Sequence, residues 1–203
     1  MSMKKFAVFA SGHGGNLQSI INAVKLKKIH AHLGLVFSNK QEAYALVRAY
    51  KAGIPTLYLN PHDFKTREEY DQAIVKELKH HKIDFVVLAG YMRLVSAAFI
   101  DLYPDRILNI HPSLIPAFKG AHGIRDAFDY GAKVTGVTIH FVVEEMDAGA
   151  IIAQVPVKIT DNDTLLSLED KIHKAEHRLY PKVIDLFARG KLKIKGRKVL
   201  TAY

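Results

Sequence analysis

Two polar side chains that could carry out chemistry lie close together in the segment Asn109-Ile-His111-Pro112. Asn109 and His111 are two positions apart, so on an extended backbone both side chains point to the same face. Pro112 cannot continue a sheet ladder, and it ends the predicted strand where these side chains emerge. An amide can donate a hydrogen bond to an oxyanion, and an imidazole can move protons. A capped strand end with a surface histidine is the simpler alternative.

A carboxylate further along the chain is the third candidate. Asp147 lies 147 − 111 = 36 residues after His111, in the turn-like segment that runs from Glu145 to Gly149. A carboxylate beside an imidazole favours the charged ring and holds it in place. Asn109, His111 and Asp147 are therefore the predicted catalytic residues.

The elements that must position these residues alternate between strands and helices. The predicted strands cover residues 5–10, 33–38, 56–59, 84–89 and 106–110. The predicted helices between them cover residues 16–27, 43–52, 66–80 and 96–102. The strands are nearly continuous apolar runs, as expected when helices cover both faces of a sheet. This pattern predicts a doubly wound, mostly parallel, Rossmann-like α/β sheet.

The second half of the chain has a different pattern. Predicted strands over 136–143 and 151–157 flank the Asp147 turn, and we expect them to be antiparallel neighbours. A helix over 164–189, interrupted or kinked at Pro181, follows them. Lys191 to Lys195 alternates charged and apolar residues, which is typical of an edge strand. We predict a single domain over residues 1–203.

A glycine-rich loop, Ser11-Gly-His-Gly14-Gly15-Asn16, follows the first predicted strand. Ligands of open α/β sheets bind at the carboxyl ends of the strands, where this loop and the Asn109/His111 pair are expected to meet. Small residues at a helix N-terminus suit a phosphate. The loop lacks the lysine of a Walker loop and the third glycine of a dinucleotide fingerprint. It predicts a site for one phosphate monoester, and a tight turn that needs glycine only for its conformation is the alternative.

The composition excludes several kinds of site and partner. The chain has no cysteine, which excludes disulfides, thiolate nucleophiles and cysteine-based zinc sites. It has no apolar run long enough for a signal-peptide core or a membrane span, so we expect a cytoplasmic protein with no membrane partner. The net charge of +9 would suit RNA binding. Because no aromatic-basic motif for reading bases is found, we expect no nucleic-acid partner.

The predicted C-terminal helix contains a short motif that resembles a metal site. His173-Lys-Ala-Glu176-His177 matches H-x-x-E-H, the inverted pattern of some zinc proteases. Such a site needs a further carboxylate downstream. The 203 − 177 = 26 residues that follow contain Asp185 as their only acidic residue. We therefore expect no metal, and Glu176 is free to bind the hydroxyls of a substrate.

These segments together resemble the phosphoribosylglycinamide formyltransferases, the folate-dependent enzymes of purine synthesis. Residues 109–116 with Asp147 and Gly149 carry the most specific part of the resemblance, which formyl-folate enzymes generally share. The segments 37–39 and 88–93 also fit this family, and the similarity extends from Ser11 to Pro181.

The resemblance implies which residues bind glycinamide ribonucleotide, the acceptor. Gly14, Gly15 and Asn16 would hold its phosphate, and Glu176 would hold its ribose hydroxyls. The family usually has Gly-Ser-Asn in this loop, so Gly15 is a departure that removes a hydroxyl donor. We expect weaker binding of the phosphate-ribose part as a result.

The resemblance also implies the residues that handle the formyl donor. Those implied to bind 10-formyltetrahydrofolate are Arg67, Met92, Arg93, Leu94, Val95 and Asn109, with Asn109 touching the formyl group. His111 would be the general acid, and Asp147 would raise its pKa and orient it. The acceptor and the formyl-folate are the only expected partners, and the chain is expected to act as a monomer or a homodimer.

Three alternatives remain open. A formyltetrahydrofolate hydrolase would use a similar set of residues with water as the acceptor, but related hydrolases have an additional N-terminal domain. A methionyl-tRNA formyltransferase would need a further C-terminal domain, and only 203 − 147 = 56 residues follow Asp147. A non-catalytic nucleotide-binding or RNA-binding module would leave Asn109, His111 and Asp147 without a purpose.

Overall fold

The computed structural model describes residues 3–202. In chain order its elements are β1 (Lys5–Phe9), α1 (Gly15–Lys25), β2 (His32–Ser38), α2 (Tyr44–Lys51), β3 (Thr56–Tyr58), a short 3-10 helix (Pro61–Asp63), α3 (Arg67–His80), β4 (Phe85–Leu88), α4 (Ala97–Leu102), β5 (Ile107–His111), α5 (Gly123–Asp129), β6 (Val134–Phe141), β7 (Ile151–Lys158), α6 (Leu165–Ala188), β8 (Leu192–Lys195) and β9 (Lys198–Thr201). Of these helices, none is both long and apolar enough to span a membrane.

The strands form one sheet in the order β3-β2-β1-β4-β5-β6-β7-β9-β8. The first five strands pair in parallel. β6 is antiparallel to both β5 and β7, and β8 and β9 form an antiparallel pair at the far edge. The mostly parallel sheet with antiparallel C-terminal strands, predicted from the sequence, is confirmed.

The strand order reverses direction between β1 and β4, which are neighbours in the sheet. From β1 the chain builds outward through β2 to β3, and it then returns to add β4 and β5 on the other side. The loops that follow β1 and β4 therefore diverge from a common crevice at the carboxyl edge, which is where ligands of open α/β sheets bind.

Helices cover both faces of the sheet, and the central strands β1, β2, β4 and β5 contribute alternate residues to two apolar clusters. In β5, Leu108 and Ile110 pack in the cluster under α1, α2 and α6. Ile107 packs in the second cluster, under α3 and α4. Because side chains alternate along a strand, Asn109 and His111 lie on the same face as Ile107. The shared orientation of the two polar residues, expected from their spacing, is confirmed.

Three features differ from the expectations. α5 and β9 were not predicted, because both are short and neither has a clear apolar period. α6 continues without interruption through Pro181. Buried residues on both sides of the proline, including Tyr180 and Val183, hold the helix against the sheet, and this tertiary packing offsets the lost hydrogen bond. The edge strand expected over 191–195 is present as β8.

Candidate active site

A cavity of about 340 Å³ opens at the carboxyl ends of β4 and β5. Its volume falls within the range of small-molecule sites. Its lining includes the three predicted catalytic residues and the predicted folate-binding segment, which are Asn109, His111, Asp147, Met92, Arg93, Leu94 and Val95. The facing wall is formed by His140 and by the turn over 142–147.

His111 is the last residue of β5, and its ring is almost completely buried. Its Nε2 lies 2.8 Å from the carbonyl oxygen of Phe118, which can only accept a hydrogen bond, so Nε2 carries the proton. Its Nδ1 lies 3.4 Å from Oδ2 of Asp147. A side chain at Gly123 would press against both Nε2 and the Phe118 carbonyl, so the glycine leaves room for this contact. The ring is thus held at both nitrogens.

Asp147 lies in the turn that follows β6, and it contacts two histidines and the segment between β5 and α5. Its Oδ2 accepts a hydrogen bond of 2.9 Å from the backbone of Gly120, and its Oδ1 lies 3.6 Å from Nε2 of His140. Burial opposes ionisation, but the contact with His140, the Gly120 N–H and the charge of His111 together lower the pKa of Asp147 below its usual value. The carboxylate is therefore ionised at neutral pH and faces both rings.

His140 was missed by the sequence analysis, although it takes part in this cluster. It lies opposite Asn109 in the β5–β6 pair and is almost fully buried. Its Nδ1 donates a hydrogen bond of 2.8 Å to the carbonyl of Phe141, so in the neutral ring Nε2 is an acceptor. Nδ2 of Asn109 lies 3.1 Å from that nitrogen. When the ring is neutral, its Nε2 accepts one amide N–H of Asn109, and the second N–H of Asn109 stays available.

The segment from Met92 to Val95 is anchored at both ends. The backbone N–H of Met92 donates to Oγ of Ser11 over 2.8 Å, and the N–H of Ser96 donates to Oδ2 of buried Asp71 over 2.6 Å. Arg67, at the start of α3, is exposed and is not among the residues that line the cavity. Its charge nevertheless acts on Asp71, as does that of Arg93, so both guanidinium groups lie near this anchor.

Gly14, Gly15, Asn16 and Glu176 form a second cluster, outside the cavity lining, at the N-terminus of α1. Gly14 has a φ of 75°, and a side chain there would lie within 3.0 Å of Ala45, so the position requires glycine. Nδ2 of Asn16 donates to Oε2 of Glu176 over 2.9 Å, whereas Oδ1 of Asn16 is buried without a partner among the described residues.

Glu176 lies on α6 and is almost fully buried. Burial raises the pKa of its carboxyl group, and the hydrogen bond from Asn16 and the charge of His173 act in the opposite direction. A buried carboxyl group with one protein donor retains capacity for further hydrogen bonds, which hydroxyl groups of a ligand can supply.

The comparisons with known proteins agree with this geometry. Residues 4–184 match the family model described as formyl transferase. The chain belongs to the formyl transferase family. It is 43% identical over 182 residues to the phosphoribosylglycinamide formyltransferase of Bacillus subtilis (strain 168), a match that covers 90% of this chain and 93% of that protein.

Two further relatives agree with the first. The phosphoribosylglycinamide formyltransferase of Escherichia coli (strain K12) is 43% identical over 187 residues, which covers 92% of this chain and 88% of that one. The solved structure of glycinamide ribonucleotide transformylase 1 from Symbiobacterium toebii superimposes with a TM-score of 0.97 at 42% identity, and covers 99% of this chain and 95% of that one. The family resemblance stated from the sequence is confirmed.

Two side chains connect the two clusters of this formyl transferase, and no motif in the sequence indicates a role for either. The N–H of Ser11 donates to the carbonyl of Gly90, and its hydroxyl accepts from Met92 and donates to Asn39. Tyr180, one helical turn after Glu176, directs its hydroxyl at the carbonyl oxygens of Leu88 and Leu108, 2.8 and 3.0 Å away. Ser11 therefore holds the loop after β1 against the segment after β4, and Tyr180 holds α6 against β4 and β5.

The metal motif of the sequence does not form a larger ligand set. The rings of His173 and His177 are nearly parallel, with centroids 6.4 Å apart. Within residues 3–202 no group of three or more His, Asp or Glu side chains is arranged to hold a metal ion.

Proposed function

We propose that this formyl transferase moves the formyl group of 10-formyltetrahydrofolate to the amine of glycinamide ribonucleotide, in purine biosynthesis. The observation that carries the proposal is that Asn109, His111 and Asp147 line one cavity, in a chain 43% identical to phosphoribosylglycinamide formyltransferases. The chain would act on these two small molecules as a monomer or a homodimer, through one folded domain.

The cavity suits a formyl-folate, whose pterin ring carries polar groups at its edge and whose benzoyl ring is flat and apolar. Its walls combine apolar side chains such as Leu94 and Val142 with a few buried polar groups. This combination is typical of sites that orient a small organic ligand. Arg93 lines the cavity, and Arg67 and Arg93 both lie near Asp71, where their charges would attract the carboxylates of the folate tail.

The cluster at the N-terminus of α1 suits the ribonucleotide. The first N–H groups of a helix are free to donate, and no side chain caps this helix. A phosphate would accept these donors at Gly15 and Asn16. Glu176, beneath Asn16, would accept hydrogen bonds from the ribose hydroxyls, and the unpaired Oδ1 of Asn16 offers one more acceptor.

The chemistry begins when the neutral amine of the acceptor attacks the formyl carbon. A new C–N bond forms, and negative charge develops on the formyl oxygen. The N–H of Asn109 that does not contact His140 is the donor available to that oxygen. His140 holds the amide in one orientation, so little reorganisation is needed as the charge develops.

The bond between the formyl carbon and the folate nitrogen then breaks, and a proton must pass from the former amine to the departing nitrogen. His111 is the group that we assign to this transfer. Its Nε2 proton is held by the Phe118 carbonyl, so either that hydrogen bond is exchanged for one to the substrate, or a water beside Nδ1 and Asp147 carries the proton. Asp147, ionised between two histidines, stabilises the imidazolium.

A test of the proposal is to follow the absorbance of 10-formyltetrahydrofolate with and without glycinamide ribonucleotide. Consumption only when the acceptor is present supports the transferase. Consumption without the acceptor would instead identify a formyltetrahydrofolate hydrolase. The hydrolase is less well supported, because the similar proteins of Bacillus subtilis and Escherichia coli are named as transferases. No consumption in either mixture would contradict both and favour a binding module.

A further inference from the structure

The imidazole of His177 lies directly against the phosphate loop, at Gly15. A Cβ atom at Gly15 would be 3.1 Å from Nε2 of His177 and 3.6 Å from its Cε1. Side chains of a helix tilt toward its N-terminus, so this Cβ position points to the open end of α1. The Nε2 atom of His177 therefore occupies the space in which a side chain at position 15 would stand.

The surroundings leave this ring free to bind a ligand. His177 is half-buried, and no hydrogen bond from another described residue contributes to its titration. Burial, and then the charge of His173 one turn earlier, lower the pKa of His177. Burial removes water that would solvate the charged ring, and His173 repels that charge; the negative charge of an incoming phosphate would oppose both effects.

We propose that His177 donates a hydrogen bond from Nε2 to the phosphate of the acceptor, and so supplies the donor that a side chain at position 15 would otherwise provide. The inference rests on the proposed function and deepens it, because it assigns a residue of α6 to the recognition of the phosphate. It also gives Gly15 a reason beyond backbone conformation, since the missing side chain leaves room for the ring.

The first experiment compares His177→Phe with His177→Gln. Phenylalanine keeps the ring and removes the donor, whereas glutamine restores an N–H. We expect His177→Phe to raise the KM for glycinamide ribonucleotide roughly 10- to 100-fold, the usual effect of losing a hydrogen bond to a charged group. The value of kcat should stay within about twofold, and glutamine should recover part of the lost affinity.

A substrate without the phosphate separates binding from folding. With glycinamide riboside as the acceptor, kcat/KM should be the same for the wild-type protein and both variants. His80 is an exposed histidine at the end of α3, so His80→Phe is the matched control. This variant should behave as wild type with either acceptor.

A double-mutant cycle tests whether a side chain at position 15 and the ring of His177 can replace each other as the donor to the phosphate. A serine at position 15 would require the His177 ring to move by a few tenths of an ångström. In the wild-type background, Gly15→Ser should therefore lower the KM for glycinamide ribonucleotide little or not at all. In a His177→Ala background the same substitution should lower KM several-fold, because the hydroxyl then fills the vacant space and restores a donor.

Several outcomes would overturn the proposal. An unchanged KM in His177→Phe, an equal loss of kcat/KM with both acceptors, or additive effects in the cycle would each do so. These results require an active wild-type protein, so they differ from a failure of the proposed function, in which the wild-type protein itself transfers no formyl group.

Discussion

The cavity and the phosphate loop lie on the same edge of the sheet, but they differ in whether their polar groups already have hydrogen-bond partners in the protein. In the cavity each group is already held by the protein. His111 donates to Phe118, Asp147 accepts from Gly120, and Asn109 is paired with His140. At the phosphate loop the first N–H groups of α1 have no capping side chain, and Oδ1 of Asn16 has no partner in residues 3–202.

This difference follows from what each region must do. Groups that stabilise a developing charge work best when they are fixed beforehand, since reorganisation during the reaction would raise the barrier. Groups that bind a ground-state anion need free donors, and a protein partner would compete with the ligand. The contrast predicts that substitutions in the cavity change mainly kcat, while those at the loop change mainly KM.

The largest effect is expected for His111→Ala. Loss of a general acid typically lowers kcat by ~10²–10⁴-fold, while binding of the folate should be largely intact because the cavity walls remain. Steady-state kinetics with a separate folate-binding measurement would show this, with His80→Ala as the control. Full activity in His111→Ala would rule out the mechanism.

Asn109→Ala should come next. It removes the donor assigned to the formyl oxygen, and the loss of one such donor usually lowers kcat by ~10²–10³-fold. His140→Ala keeps the Asn109 donor but removes the ring that orients its amide, so kcat should fall by less. The double variant should be no worse than Asn109→Ala alone. Additive losses would mean that His140 acts independently of Asn109.

Glu176→Gln tests the other region. Replacing the carboxylate should raise the KM for glycinamide ribonucleotide by roughly tenfold, because hydrogen bonds to a charged acceptor become hydrogen bonds to a neutral one. The value of kcat at saturation should change little. Burial raises the pKa of this carboxyl group, so the neutral glutamine should not lower the melting temperature. A large fall in kcat with normal KM would contradict the contrast between the regions.

The smallest effect concerns stability. The pKa of Asp147 is held below its ordinary 3.8, so its ionised form stabilises the fold above that pH, and this stabilisation is lost as the pH falls through the lowered value. Asp147→Asn should therefore melt a few degrees below wild type near neutral pH, and the difference should shrink below about pH 4. A difference that grows on acidification would show that Asp147 is not held ionised by its neighbours.

Much of the architecture could be predicted from the sequence because it depends on local pattern. Apolar runs for strands, 3.6-residue periods for helices and Pro112 at the end of β5 were sufficient for the parallel half of the sheet. The positions of Gly14 and Asn16 beside Glu176 were expected only from the family resemblance. α5 was missed, because its seven residues carry no distinctive period.

The residue pattern of the chain specifies which chemical groups are available and on which face of a strand they lie. Asn109 and His111 share a face because a strand repeats every two residues, and this holds for any fold that contains the strand. The partners of these groups, in contrast, depend on how distant segments pack together. The register of β6 brings His140 opposite Asn109, and the packing of α6 places His177 against Gly15. Strand register and helix packing join residues 31 to 162 positions apart, which no local pattern encodes.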